Sequence, residues 1–436
     1  MGLLALSSAC MLGLAAGCAV MRNHATQVTL RPCSDGYAIT KDGWMLGVRR
    51  FRPESPDPGK LPVVLCHGLG LNGTFWTLTD DNMPTQLAAR GYDVFVVDMR
   101  GSGASRRIGS VGRFNRVIRH TPMLEIGQHD WTVDHQSFFD VPAILDYVER
   151  ETGSHRVNWV GHSLGGMLLF PYLEFGEEPD RIANFVAMGS PIIMAPAPQI
   201  PMIRANRGLR NLLSVMSTSR TARFLAWGRP PGLDKVDRFY YSAENVDTET
   251  IDKFYGYTLE DPGPGALEQL EYYLDKGHMV SADRKVDYVA NLNHVHNPIL
   301  FVAGEGDVLA PMDAVLATYE ATASPDKTLA KFGVREGYRA DYGHCDLVWS
   351  RFAPEDIFPA VADWLEPRQP GSALSSPQHA SPQSPRPRQI LAPPPLSMPQ
   401  SGVVRSEEGV QTDLRPRLEF LPKPPDLVEI PEHPVR

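Results

Sequence analysis

RVNWVGHSLGGMLLFPYLEF, residues 156–175, decides the fold. Residues 156–160 form a short apolar run of the kind that makes a strand buried on both faces. Residues 166–175 continue as a helical pattern. Between them lies Gly161-His162-Ser163-Leu164-Gly165, a G-x-S-x-G sequence. Between strand and helix, such a sequence turns the chain sharply and leaves its serine strained and exposed at the apex. Gly161 and Gly165 stand two residues to either side and omit side chains that would collide there. A serine displayed in this way suits nucleophilic chemistry, and Ser163 is the expected nucleophile.

Working outward, the same alternation recurs. Residues 61–66 (LPVVLC) and 92–98 (YDVFVVD) are buried-strand runs before the serine. Residues 182–188 (IANFVAM) and 298–303 (PILFVA) are two more after it. Helical patterns at 84–90 and 138–151 lie between them. Strand, helix and strand in repetition predict an α/β fold, a mostly parallel sheet flanked by helices on both faces. A hairpin opens it: residues 37–40 and 44–51 flank Lys41-Asp42-Gly43, and an Asp-Gly pair favours a tight turn. Residues 191–297 interrupt the rhythm and read as an inserted helical cap. The cap divides the core into residues 35–190 and 298–366. Residues 367–436 are Pro-rich, with sixteen of the chain's 39 prolines. That composition predicts a disordered or polyproline-like tail.

The chain has 436 residues, 42% hydrophobic and 21% charged, an ordinary globular composition. Its formal net charge of −9 argues against a nucleic-acid partner, and its 13 histidines are too scattered to suggest a metal cluster. The first twenty residues are small and apolar, with no charged side chain before Arg22. They read as an export signal rather than a membrane span. Leu14-Ala15-Ala16-Gly17-Cys18 is similar to the lipobox of bacterial lipoproteins, where cleavage leaves the cysteine lipidated. Residues 1–18 are therefore expected to be a signal peptide, and Cys18 a lipid anchor on the exported side of a membrane. A secreted soluble form is the alternative. With Cys10 and Cys18 set aside, Cys33, Cys66 and Cys345 remain, an odd count that makes no disulfide framework.

A serine hydroxyl needs a base, an acid to orient that base, and donors for the oxyanion. The partners should follow in the order acid, then histidine. His344 lies after the last predicted strand and before a final helix at 354–365, and is the expected base. His278, His294 and His296 are less well placed. Asp307 follows the strand at 298–303 and is the expected orienting acid. Asp341, Asp346 and Glu305 are its rivals. The oxyanion donors should be the backbone N–H of Leu164 and of Leu69, in His67-Gly68-Leu69-Gly70 after the first buried strand. Gly68 lets the backbone approach closely, and His67 is expected to buttress the loop. No cofactor or metal is needed for this chemistry.

In patches over residues 35–366 the chain resembles the acid lipases, the gastric and lysosomal branch of the α/β-hydrolases. Cys66-His67-Gly68-Leu69 with Asn72 and Trp76 is similar to that family's oxyanion segment. Gly91-Tyr92-Asp93-Val94 with Arg100-Gly101 is similar to its next strand and turn. Residues 138–143 (FFDVPA), Thr152-Gly153 and Val160-Gly161-His162-Ser163 follow its run into the serine. Tyr342-Gly343-His344-Cys345-Asp346, Trp349 and Ala353-Pro354-Glu355 close the pattern. The resemblance implies an α/β-hydrolase fold and hydrolysis of carboxylic esters with long acyl chains. Leu164 stands where that family has Gln, and Gly165-Gly166 is closer to bacterial lipases and esterases. No cap motif matches, so the chemistry carries over better than the substrate. An acyltransferase using the same three residues, or a non-catalytic surface protein on this fold, are the other readings. Within the cap, Ile192-Ile193-Met194, Phe224, Trp227, Phe239-Tyr240-Tyr241 and Tyr272-Tyr273 either line an apolar pocket or pack the cap onto the sheet. Arg204, Arg207, Arg210, Arg220 and Arg223 make a basic stretch at its start.

Overall fold

The computed structural model of the chain describes residues 34–107, 131–194 and 233–371. Cys18 and its leader, the arginines between 204 and 223, Phe224, Trp227 and the tail beyond residue 371 lie outside the described residues.

A single mixed sheet organises the rest. Its strands are β1 (Ser34–Ile39), β2 (Trp44–Phe51), β3 (Val63–Cys66), β4 (Val94–Val97), β5 (Arg106–Arg107), β6 (Val157–His162), β7 (Ile182–Met188), β8 (Ile299–Gly304) and β9 (Lys327–Phe332). The order is β1-β2-β4-β3-β6-β7-β8-β9, with β5 on β2. The β1–β2 hairpin and the β2–β4 pair are antiparallel. From β4 to β9 every neighbour is parallel. The strands β3, β4, β6, β7 and β8 are buried along their whole length. That explains their continuous apolar runs: helices cover both faces, so neither face selects polar residues.

Two hydrophobic clusters fill the two faces. One packs helices Val141–Thr152, Leu169–Phe175 and Met312–Ala321 against one side of the sheet. The other packs Met83–Ala89 and Phe358–Leu365 against the opposite side. Cys66 and Cys345 are buried free thiols within these layers, and burial pushes both thiols well above their usual range.

Three elements differ from the sequence reading. The strand β9 was hidden because it is an edge strand, only half-buried and carrying Lys327 and Lys331. The helix expected over 138–151 is preceded by a π turn, Gln136–Asp140, before its regular part begins at Val141. The final helix is broken into Ala353–Asp356 and Phe358–Leu365, where Pro359 in the second piece lacks the N–H needed to continue the first.

The chain crosses from β3 outward to β4 and then returns to β6 on the other side of β3. This reversal leaves the C-terminal ends of β3 and β6 side by side, with Cys66 opposite Gly161. A crevice at such a switch point is where open parallel sheets hold ligands. The loops bearing His67, Ser163, Gly189 and Asp307 all leave the sheet at this edge.

Candidate active site

Ser163 follows β6 directly and adopts φ +53° and ψ −124°. Among the described residues it shares a positive φ, outside glycine, with Arg284 alone. Its N–H donates to the Met188 carbonyl at 2.8 Å, tying the turn to the end of β7. The flanking glycines are required by backbone approach. A Cβ on Gly161 would run into the Gly165 carbonyl, and one on Gly165 into the carbonyls of Cys66 and His67. These contacts are with backbone, so no side-chain rotation could relieve them.

His344 and Asp307 are both buried and meet directly. His344 Nδ1 lies 2.8 Å from Asp307 Oδ2. The other carboxylate oxygen accepts the N–H groups of Leu309 and Ala310 at 2.9 and 2.7 Å. The rival acids are committed elsewhere. Asp341 Oδ1 accepts from the Val334 N–H, Asp346 Oδ2 accepts from Asn245 Nδ2 at 2.6 Å, and Glu305 pairs with Arg335. Of the competing histidines, His278 faces Asp287 in the cap.

Two neighbours of this pair escaped sequence reasoning. Gly189 has φ +55°, and a Cβ there would sit 3.2 Å from Asp307 Oδ2 and 3.3 Å from His344 Nδ1. Its only signal was a glycine ending an apolar strand. His162, inside the serine pentapeptide, donates from Nε2 to the His344 carbonyl at 2.9 Å. Its ring lies 4.7 Å from the His344 ring and 4.5 Å from that of Phe75. Burial, and then the neighbouring His344, hold it well below the usual histidine range. It is a neutral support under the His344 loop.

Leu69 and Leu164, whose N–H groups are the expected oxyanion donors, both line the same cleft. Among the described residues, neither the Leu69 nor the Leu164 N–H meets an acceptor. Leu164 opens a helix, so its N–H has no intrahelical partner. Gly68 lets the two loops touch: a Cβ there would lie 2.9 Å from Ser163 Cβ. His67 buttresses this loop as expected. It contacts the Gly68 carbonyl through Nδ1 at 2.9 Å, while Nε2 accepts the Met99 N–H at 3.2 Å. Burial lowers its pKa, so it serves as a neutral strut.

The segment expected as a cap is hydrogen-bonded to the loop after β3 and to the loop bearing His344. On one side the Glu260 N–H donates to the Gly70 carbonyl at 2.7 Å, and the Asn72 N–H to Thr258 at 3.1 Å. On the other, the Cys345 N–H donates to the Tyr240 carbonyl at 2.6 Å. Asn245 Nδ2 also reaches the Asp341 carbonyl at 2.9 Å. The cap aromatics Tyr241 and Phe254 pack on Trp349, and Tyr273 donates to the Pro191 carbonyl. These three pack rather than line a pocket. Beside the loop bearing Leu69 lies a narrow cleft walled by Leu69, Met99, Trp131, Leu164 and Leu168. Beneath it, the buried Arg100 guanidinium is held by Asp140 and Asp42, at 2.7 Å from each. Among the described residues no three His, Cys, Asp or Glu side chains are grouped to hold a metal ion, and no helix is long and apolar enough to cross a membrane.

The sequence model of the alpha/beta hydrolase fold matches residues 62–350, about two-thirds of the chain. The chain belongs to the α/β-hydrolase family. The resemblance to lipases holds among its relatives. This α/β-hydrolase is 31% identical over 169 residues to triacylglycerol lipase 2 of Arabidopsis thaliana, covering 37% of this chain and 37% of that protein. It is 25% identical over 374 residues to the gastric triacylglycerol lipase of Mus musculus, covering 77% of this chain and 88% of that one. The match thus spans little more than a third of the plant relative's length. Among solved structures, a membrane phospholipase A described as a novel bacterial virulence factor is 14% identical with a TM-score of 0.50. The match covers 84% of this chain and 99% of that one, and the likeness is one of fold.

Proposed function

We propose that this α/β-hydrolase is a serine hydrolase of carboxylic esters, with lipids or other apolar acyl esters as substrates. Ser163 attacks the ester carbonyl, His344 takes its proton and returns it to the leaving alcohol, and Asp307 orients His344. The N–H groups of Leu69 and Leu164 stabilise the tetrahedral oxyanion. Water then cleaves the acyl-enzyme. The observation that carries this reading is the strained backbone of Ser163. A non-glycine residue held at φ +53° between two irreplaceable glycines stores strain that folding alone does not require. The buried hydrogen bond from His344 to Asp307 supports the same roles. The ester substrate class rests on the lipase names of the plant and mouse relatives.

Residues 1–18 are proposed as an export signal, with Cys18 as its lipidated end. The cap at 191–297 and the tail from 367 are proposed as units outside the hydrolase core. The test of function is a rate profile on p-nitrophenyl esters of increasing acyl length, for the protein and for Ser163→Ala. Activity is expected to depend on Ser163, together with labelling by a fluorophosphonate. Hydrolysis surviving in Ser163→Ala would sink the mechanism, and a preference for acetyl would reduce the lipase reading to an esterase. Mass analysis of the mature N-terminus tests the anchor: a first residue other than a modified Cys18 rejects it.

A further inference from the structure

We propose that Glu260 is a positioning residue of the oxyanion hole, whose carboxylate fixes the loop that presents the Leu69 N–H. The inference rests on the ester-hydrolase reading and adds a residue to its machinery.

Leu69 stands between Gly68 and Gly70, and Gly70 has φ +65°. Glycine leaves the backbone permissive on both sides. The aim of the Leu69 N–H therefore depends on what holds each neighbour. Upstream the hold is local. The Leu69 N–H shares a planar trans peptide with the Gly68 carbonyl and points opposite to it. That carbonyl lies 2.9 Å from His67 Nδ1. The Met99 N–H donates to His67 Nε2, so the proton of the neutral ring sits on Nδ1 and bonds the Gly68 carbonyl.

Downstream the hold comes from residues 257–260, in the segment expected as a cap. The Glu260 N–H donates to the Gly70 carbonyl at 2.7 Å, and the Asn72 N–H donates to the Thr258 carbonyl at 3.1 Å. Between them Leu71 and Leu259 pair in an antiparallel bridge. The Glu260 carboxylate adds a second layer to this joint. Its Oε1 accepts from Asn72 Nδ2 at 2.8 Å and from the Gly103 N–H at 3.1 Å. Asn72 is buried, and both ends of its amide are committed. Nδ2 also donates to the Tyr257 carbonyl at 2.8 Å, while Oδ1 accepts the Thr74 N–H at 2.9 Å.

Gly103 gives the joint its reach. It belongs to the turn that starts at Met99, and Met99 already bonds His67. The loop after β3 and the turn at 99–103 are thus tied twice, through His67 at one end and through Glu260 at the other. Leu69 lies in the span between the two ties. Hydrogen bonds to a charged acceptor are stronger than neutral ones, and here one carboxylate oxygen serves both segments. Truncating Glu260 keeps its backbone bond to Gly70 but removes the tie to Asn72 and Gly103. The span would then loosen without coming apart.

A group displaced by about 1 Å costs up to about a hundredfold in rate, and an oxyanion donor removed outright costs about 10²–10³. Glu260→Ala is therefore expected to lower kcat/KM on a p-nitrophenyl ester by about ten- to a hundredfold per active site, with sites counted by fluorophosphonate titration carried to completion. Glu260→Gln keeps an oxygen for the same two donors and should recover most of that loss. The matching thionoester separates positioning from stability. Its sulfur accepts hydrogen bonds weakly, so its hydrolysis draws less on the oxyanion donors. Glu260→Ala should lower the ester-to-thionoester ratio of kcat/KM by about tenfold, whereas Asp307→Asn, which disables the base, should slow both and leave the ratio. Asn72→Asp keeps the oxygen on the Thr74 N–H and turns the donor to Glu260 into an acceptor; it should lower the same ratio, and it carries the test where Glu260→Ala fails to fold. An unchanged ratio in the variant that folds, or equal losses on both substrates, overturns the role of Glu260 and leaves the hydrolase reading standing. A wild type that hydrolyses neither substrate overturns that reading and this inference with it.

Discussion

Replacing Asp307 by Asn changes one atom and should nearly abolish turnover. In the structure the Asp307 carboxylate is divided between two tasks. Oδ1 accepts two backbone N–H groups, from Leu309 and Ala310, and Oδ2 faces His344 Nδ1 at 2.8 Å. An asparagine must keep its oxygen on the two N–H donors, since turning its NH2 toward them would forfeit both bonds. Its NH2 then faces His344 Nδ1, which can pair with it only as an acceptor. The imidazole proton moves to Nε2, and the ring loses the lone pair that should take the serine proton. An Asp-to-Asn exchange with this tautomer logic lowers kcat by about 10⁴, or roughly 5 kcal/mol of barrier at about 1.36 kcal/mol per factor of ten. The fold should suffer little, by about 1–2 kcal/mol, because the backbone bonds survive. The assay is kcat on a p-nitrophenyl ester, normalised by circular dichroism and urea midpoint. Asp346→Asn is the control, since Asp346 bonds Asn245 rather than His344, and its kcat should stay within about tenfold. Turnover within tenfold of wild type for Asp307→Asn, or an equal loss in Asp346→Asn, would refute the reasoning.

Gly161→Ala drives a methyl into the Gly165 carbonyl and should destabilise by more than about 3 kcal/mol, seen as loss of soluble protein or a collapsed urea midpoint; a variant of native stability would contradict the close packing at the turn. Glu174 is buried with neither carboxylate oxygen paired among the described residues, and burial, with the charge of Asp287 adding, pushes its pKa well up. An acid raised on folding contributes fully below its unfolded pKa and loses that contribution as pH rises through the folded value. Glu174→Met should therefore raise stability by about 1–3 kcal/mol at pH 8, with the gain shrinking toward pH 4. Urea midpoints across that range measure it, and a gain that grew as pH fell would have the wrong sign.

The parts legible in sequence were those with strong local chemistry. The buried strands announced themselves because both faces are covered, and the turn at Ser163 because glycine is needed on either side. The order Ser163, Asp307, His344 was expected from the G-x-S-x-G arrangement, and the structure brings His344 and Asp307 into contact. What could not be read depended on contacts distant in sequence. Strand β9 has a pairing partner, β8, but a half-buried edge strand broken by Lys327 and Lys331 gives no continuous apolar run. Gly189 and His162 look ordinary until β6, β7 and the His344 loop converge. Gln136 reads as a polar residue before a helix, and only the folded chain shows its oxygen buried and unpaired. The joints of Asn245 and Glu260 were invisible because the cap has no motif of its own.

Those joints bear on how this scaffold can change its diet. In a modular enzyme the substrate-choosing part can be exchanged while the chemical part is left alone. Here the Tyr240 carbonyl and the Asn245 side chain hold the loop bearing His344, and the backbone of Thr258 and Glu260 holds the loop after β3. A replacement for residues 191–297 would arrive with its own loops and leave the loops bearing Leu69 and His344 unmoored. Drift in specificity must then proceed by side chains on the existing frame rather than by recombination. An engineer seeking a new substrate would do better to vary the walls of the cleft than to graft the segment above it.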